Sequence, residues 1–179
     1  MITPEFRVSF PAIFKPSEYN GKEKFGLTML FSKGTDISKL KKLCVDTAKE
    51  KWGEKLPKPL KFPFRDGNEK DLDKFPSFED TTFCQAQTLY QPGLVDEKLQ
   101  PIIDESEFYP GCYARASISA FAWEFQGKKG VSINLLNVQK MRDGEKLGSR
   151  IVAEDEFEAL EKVENVDLAS DDEYDEYDI

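Results

Sequence analysis

The sequence predicts a mainly β protein, a small closed or partly open barrel with one helix and an acidic C-terminal tail, on three observations. Apolar residues return in short alternating runs between Phe6 and Val138, and strand residues of like parity share a face. One segment, Thr35 to Gly53, carries apolar residues at convincing helical spacing. The long stretch from Phe108 to Gly148 reads as two antiparallel arms, and the second shifts parity at Leu135-Leu136. Such a shift marks a bulge of the kind that coils a strand around a barrel. Strand-rich chains with one helix and a bulged long strand fit a small barrel. At 179 residues the chain suffices for one domain, since about 150 residues bury roughly 68 to 70% of the extended surface.

Phe6, Val8 and Phe10 alternate with Arg7 and Ser9 as in a half-buried strand, which Pro11 ends or bends. Residues 12–24 mix Phe14, Lys15, Tyr19, Lys22 and Lys24 around a Pro-Ser and an Asn-Gly turn signal, and an exposed loop is expected there. A second strand follows at Phe25, Leu27, Met29 and Phe31. The helix has Thr35 or Asp36 as N-cap, Ile37, Leu40, Cys44, Ala48 and Trp52 on one face, and Gly53 as its stop. Its lysines, among them Lys39, Lys41, Lys42, Lys49 and Lys51, read first as a solvated face. Residues 56–79, rich in proline and aromatics, form a long irregular connection, which is uncommon in a compact domain unless it serves a function. Phe62, Phe64 and Arg65 either line a groove or pin this loop to the barrel. Strand character resumes from Thr82 to Tyr90, with Cys84, Ala86 and Thr88 opposite Phe83, Gln85, Gln87 and Leu89; Pro92-Gly93 then turns the chain.

In the first arm of the hairpin, one row is small and apolar: Ala114, Ala116, Ile118, Ala120 and Ala122. The other is Tyr113, Arg115, Ser117, Ser119, Phe121, Trp123 and Phe125. The second row has the chemistry to stack unpaired bases and hold phosphate, but aromatic rows on strands are often core. Parity leaves open which row points outward.

The net charge of −9 conceals a division of the chain. Thirteen of the 34 acidic groups but only one basic group, Lys162, lie between Glu154 and Ile179, a net of −12. Residues 1–153 keep 24 basic against 21 acidic groups, a net of +3. A weakly basic body with a strongly acidic tail points to nucleic-acid interaction with an internal acidic competitor. With no histidine, Ser-His-Asp and Cys-His chemistry and His-containing metal sites are excluded. Neither GxGxxG nor GxxxxGK[ST] occurs, and Cys44, Cys84 and Cys112 form no CxxC pair, so buried free thiols are expected and no metal or cofactor is. No segment approaches the roughly 20 apolar residues of a membrane span, and no signal peptide is read, so a cytosolic protein is expected.

The strings VSFPAIFKP (8–16), PFRDGNEKD (63–71), PGLVDEKLQPIID (92–104), FYPGCYARASISAFAW (108–123) and GVSINLLNVQKMRDGEKLGSR (130–150) together resemble a tailed-phage family of single-stranded DNA-binding proteins. The resemblance covers roughly residues 6–150 and implies an OB-fold-like, partly closed five-stranded barrel. It also implies sequence-tolerant binding to single-stranded DNA in phage replication or recombination, in the cytoplasm of an infected bacterial host. The acidic end is similar in kind to the C-termini of replicative single-strand binders.

Residue type then nominates the contacts. Tyr113, Phe121 and Trp123 are candidate base platforms, and Arg115 is a candidate for phosphate or a base face. Lys128 and Lys129 at the hairpin tip, Phe14, Lys15 and Lys22 in the first loop, Phe64 and Arg65, and Lys140 complete the set. The body is taken as residues 1–153 and the tail as 154–179, with a short helix between Glu154 and Val166 followed by a disordered end. Asp171, Asp172, Glu173, Tyr174, Asp175, Glu176, Tyr177 and Asp178 imitate a nucleic-acid backbone with bases, and are expected to compete for the groove and to recruit replication or recombination proteins. A homodimer is left open. Two other classes stand beside this non-enzymatic reading: a carboxylate-metal nuclease using Asp66, Glu69, Asp71 and Asp104, and an acidic DNA mimic or protein-interaction module.

Overall fold

The computed structural model describes residues 1–148, apart from the side chain of Tyr19. The acidic tail, the short helix expected within it and the boundary at 153/154 lie outside the described residues. Five long strands build the barrel: β1 (Phe6–Tyr19), β2 (Lys22–Ser32), β4 (Thr81–Thr88), β6 (Tyr113–Phe125) and β7 (Lys128–Arg142). Two short ones, β3 (Arg65–Asp66) and β5 (Gly93–Val95), flank them on β4 and β7. Antiparallel pairing runs β4–β2–β1–β6–β7, and a parallel seam between β4 and β7 returns to the start. That seam holds two residue pairs, Ala86 with Ile133 and Gln87 with Asn134, and the β1–β6 seam also holds two, so the barrel is partly closed. This is the expected five-stranded OB-type arrangement.

The first hairpin is more regular than expected. Residues 12–24 are almost all strand, with the turn confined to Asn20-Gly21, and β1 crosses Pro11 and Pro16 by register shifts between Ser9 and Ala12 and between Ala12 and Ser17. The prolines are tolerated because β1 pairs with β6 only at Phe6 and Arg7, leaving its later residues at an edge where a missing N–H costs no ladder bond.

The helix α1 (Ser38–Trp52) begins later than the composition implied. Ile37, mostly buried, holds the cap position, while Asp36 accepts the Ser38 N–H at 2.9 Å from just outside. Burying Ile37 sets where the first turn can start. Leu40, Cys44 and Ala48 are fully buried, and α1 packs against β6 and β7. Gly53, at φ +83°, ends the helix, its N–H bonding the Lys49 carbonyl at 2.7 Å. Lys42 pairs with Asp46 and Lys49 with Glu54, as on a solvated helix face.

One main core fills the barrel, with Phe6 and Phe31 meeting edge to face at 5.9 Å. All three cysteines are free and buried inside it. Burial pushes the Cys44 thiol up to about 11 and raises those of Cys84 and Cys112, so none is poised as a thiolate. A satellite core of Leu30, Phe78 and Phe83 lies under the connection between α1 and β4, which is thereby pinned down. Lys61 joins the same connection to β7, its N–H bonding Lys129 and its carbonyl Val131. The bulge expected in β7 is present: Ser117 opposes Asn137 and Ile118 opposes Leu135, leaving Leu136 unmatched. Leu136 is consequently exposed while Val138 is buried, so the apolar alternation resumes only after the extra residue.

Among the described residues, no helix is long and apolar enough to cross a membrane.

Candidate nucleic-acid interface

The aromatic row of β6 faces outward. Ala114, Ala116 and Ile118 are buried to within 1% of completion, whereas Phe121 is 48% exposed and Phe125 68%. The small inner residues leave room for β6 to lie close over the core and α1. Trp123 lies across β7 at Gly130, where a Cβ would stand 2.4 Å from the indole ring, and its Nε1 donates to the Ser132 hydroxyl at 2.9 Å. The ring is therefore half-buried and held in one orientation.

A groove of about 710 Å³ opens beside Phe121 and runs over β7, β4 and the start of β2. Its floor presents Gln85, Gln87, Asn134 and Ser132, and its walls carry Lys22, Lys24, Arg65 and Lys70. Among the described residues no carboxylate lines it, in a chain with an acidic excess of nine. Arg65 and Lys70 lie above the buried Phe83 ring, each 5.4 Å from its centroid, and Lys70 also stands over Phe75 and Phe78. These ring contacts hold the two cations over the groove without neutralising them. Among the described residues Arg65 has one loose partner, Glu69 at 3.9 Å across exposed surface, which water and salt screen heavily. The groove thus combines a positive wall, hydrogen-bonding amides and an open ring, the components that hold a flexible polyanion with unpaired bases.

Of the nominated residues, Lys22, Arg65 and Phe121 meet in this groove, and Trp123 adjoins it through Ser132. Lys128 is exposed at the tip of the β6–β7 hairpin, and Lys129 lies 3.7 Å from Glu124. Phe64 is half-buried against the main core and serves packing. Phe14 and Lys15 line a separate depression of about 400 Å³, with Lys15 3.9 Å from Glu105. Three residues stand apart at the far end of the hairpin. Arg142 is stacked over the Tyr113 ring at 3.7 Å, Arg115 donates to Gln139 at 2.8 Å, and Lys140 is bound to Asp143 at 2.7 Å and to the Glu107 carbonyl at 2.6 Å. Alternation puts Tyr113 and Arg115 on the same face as Phe121, but that face is long enough to serve two different neighbourhoods.

Lys24, Lys70, Phe83, Gln85, Gln87 and Asn134 are groove residues that were not nominated from the sequence. Parity already placed Phe83, Gln85 and Gln87 together on β4; nothing local marked their face as the open one. Leu89 and Tyr90, 66% and 82% exposed, follow them just past the end of β4.

Three of the four carboxylates considered for metal chemistry are otherwise employed. Asp66 accepts the Asn68 N–H, Asp71 the Asp73 N–H, and Asp104 both the N–H and hydroxyl of Ser106, each within 3.2 Å. These bonds hold the Asp104 carboxyl below its ordinary value. They are turn caps, and among the described residues no three His, Cys, Asp or Glu side chains gather as a metal site.

Comparison with known proteins shows the family and the fold. Residues 1–169 match the family model described as the Enterobacter phage Enc34 ssDNA-binding protein. Among solved structures, the bacteriophage Enc34 single-stranded DNA-binding protein in complex with ssDNA is similar at 27% identity and a TM-score of 0.67, over 82% of this chain and 88% of that one. A second structure of the single-stranded DNA-binding protein from bacteriophage Enc34 gives 25% identity and a TM-score of 0.63, over 84% of this chain and 85% of that one. The single-stranded DNA-binding protein gp2.5 of bacteriophage T7 shares the fold, at 14% identity and a TM-score of 0.56, over 85% and 96%. A search of curated proteins gives no match.

Proposed function

This chain belongs to the Enc34 ssDNA-binding family of phage proteins, and from that membership we propose that it binds single-stranded DNA, without strong sequence preference, during phage replication or recombination. The observation that carries the reading is the groove, where Lys22, Lys24, Arg65 and Lys70 stand over an amide floor with no carboxylate among the described residues that line it. Its position also supports the reading: with the start of β2 and with β4, which are the second and third barrel strands, and the adjoining part of β7, it includes the surface on which this fold class binds oligonucleotides.

The phosphates face the four cations and the bases stack on Phe121 and against Trp123, while Lys128 at the hairpin tip follows the backbone. The amides accept or donate to any base edge, which favours tolerance over sequence readout. The protein holds DNA without altering it, so it is a binder and not an enzyme, and it acts in the cytoplasm of the infected host. The acidic residues Asp171 to Asp178 compete with DNA for the cationic wall and, once displaced, recruit replication or recombination proteins.

Fluorescence anisotropy with oligo-dT, duplex DNA and RNA across a salt series tests this, using the intact chain and one lacking residues 167–179. With four phosphates neutralised, log K against log salt has a slope of about −3, from roughly −0.7 per contact. Tail deletion tightens binding at low salt. A flat salt response or absence of binding by both chains refutes the DNA reading, and equal affinity of the two refutes the competition.

A further inference from the structure

We propose that the DNA held in the groove continues around the barrel and ends on a stacking platform formed by Phe10, an inference that rests on the single-stranded DNA reading above. Directly paired residues share a face, so the register traces a row around the outside of the barrel: Ala12 beside Gly26, Gly26 beside Gln87, Gln87 beside Asn134, Asn134 beside Ser119. No charged or bulky side chain stands in this row. Gly26 has no room for one, since a Cβ there would lie 2.5 Å from the Ala86 carbonyl oxygen. The groove occupies the β4 and β7 part of the row. At its β1 end lies a second depression of about 120 Å³, bordered by Phe10, Ser17, Phe25 and Thr28 and sharing Gln85 and Gln87 with the groove. Groove and depression therefore form one track.

Phe10 closes that track. Its backbone sits at φ +46°, a region bulky side chains rarely enter, yet 58% of the residue is exposed. Its ring meets Phe75 edge to face at 5.9 Å and Phe78 at 6.4 Å, both in the connection that also supplies Arg65 and Lys70 to the groove wall. The bulge in β1 needs an extra residue but not a phenylalanine; asparagine or glycine suits that backbone better. Burial does not account for the side chain either, since the residue is more exposed than buried. An exposed ring kept at a strained position, steadied from one side at the end of a polar track, is suited to stack a base on its open side.

The test uses the full chain with Phe10→Asn, which keeps a residue tolerant of the left-handed backbone and removes the ring, and Phe10→Trp, which keeps a ring. Melting is followed by circular dichroism, and anisotropy is measured with oligo-dT of about 4 and about 16 nucleotides, the range of site sizes for one such barrel. The asparagine variant is expected to melt at or above the wild-type temperature and to bind the short oligonucleotide like wild type. For the long one it loses about 5- to 150-fold in affinity, the effect of one stacked base, and Phe10→Trp retains it. Wild-type affinity of Phe10→Asn for the long oligonucleotide overturns the proposal, as does an equal loss at both lengths. If wild type itself binds neither length, the single-stranded DNA reading has failed, whatever Phe10 does.

Discussion

At the groove end of the β6–β7 hairpin, Phe121 stands open beside Lys22, Lys24, Arg65 and Lys70, whereas at the other end Tyr113 lies under Arg142 and the surrounding cations are engaged within the protein. There Arg142 bonds Glu5 at 2.8 Å, Arg7 donates to the Glu145 carbonyl at 2.7 Å, and Lys140 is held by Asp143 and the Glu107 carbonyl. Both ends pair aromatic rings with basic side chains, and residue type alone treats them alike. They differ in the company of carboxylates and carbonyls: one end tethers the chain after β7 to the barrel, and the other sets its cations around a groove that no carboxylate lines among the described residues. A basic aromatic surface thus acquires a role only when its internal partners are known.

Reversing charge at the groove end gives the largest expected effect. Lys24→Glu with Arg65→Glu weakens oligo-dT binding on the order of 100-fold at low salt, two charge-assisted contacts at about 1.5 kcal/mol each. The salt slope falls from about −3 to about −1.5. Phe121→Ala comes next, at about 1 to 3 kcal/mol of affinity, with a melting temperature close to wild type because the ring is half exposed. An unfolded Phe121→Ala protein would move the ring from the interface into the core.

Smaller effects belong to the other end and appear in stability. The Lys140 ammonium, then the Tyr109 hydroxyl, hydrogen-bond to Asp143 and hold its carboxyl below the ordinary value. A carboxyl depressed in the folded state stabilises above its unfolded value, near pH 4, and loses that contribution as pH falls through its folded value. Asp143→Asn therefore lowers the melting temperature at pH 7 and flattens its decline in acid, while oligo-dT affinity at pH 7 stays at wild type. Smallest on stability is Arg142→Ala, which lowers melting slightly and leaves the salt slope unchanged. A slope shallower by one contact in that variant would put both ends of the hairpin on the DNA and erase the distinction.

Much of this architecture was legible in the chain. The β7 bulge showed as a parity break at Leu135-Leu136, and the helix announced itself through Leu40, Cys44, Ala48 and Gly53. The first hairpin was harder, because Pro11 and Pro16 read as interruptions; an edge position accommodates a missing N–H, and edges are created by strands distant in sequence. Lys70 was hidden for a similar reason. Its place over Phe75, Phe78 and Phe83 depends on a satellite core assembled from β2, β4 and the loop between α1 and β4.

Alternation, helical spacing and the split between a +3 body and a −12 tail were properties of the sequence by itself, because strand and helix periods and formal charge depend only on residue order and type. Which face of Tyr113 to Phe125 meets water, and which cations remain available, only the tertiary structure decided. Burial requires a second surface, here the helix and the opposite barrel wall against Ala114, Ala116 and Ile118. A cation is withheld only if a carboxylate or carbonyl reaches it, as at Arg142 and Lys140, whose partners Glu5 and Glu107 lie 137 and 33 residues away in the chain.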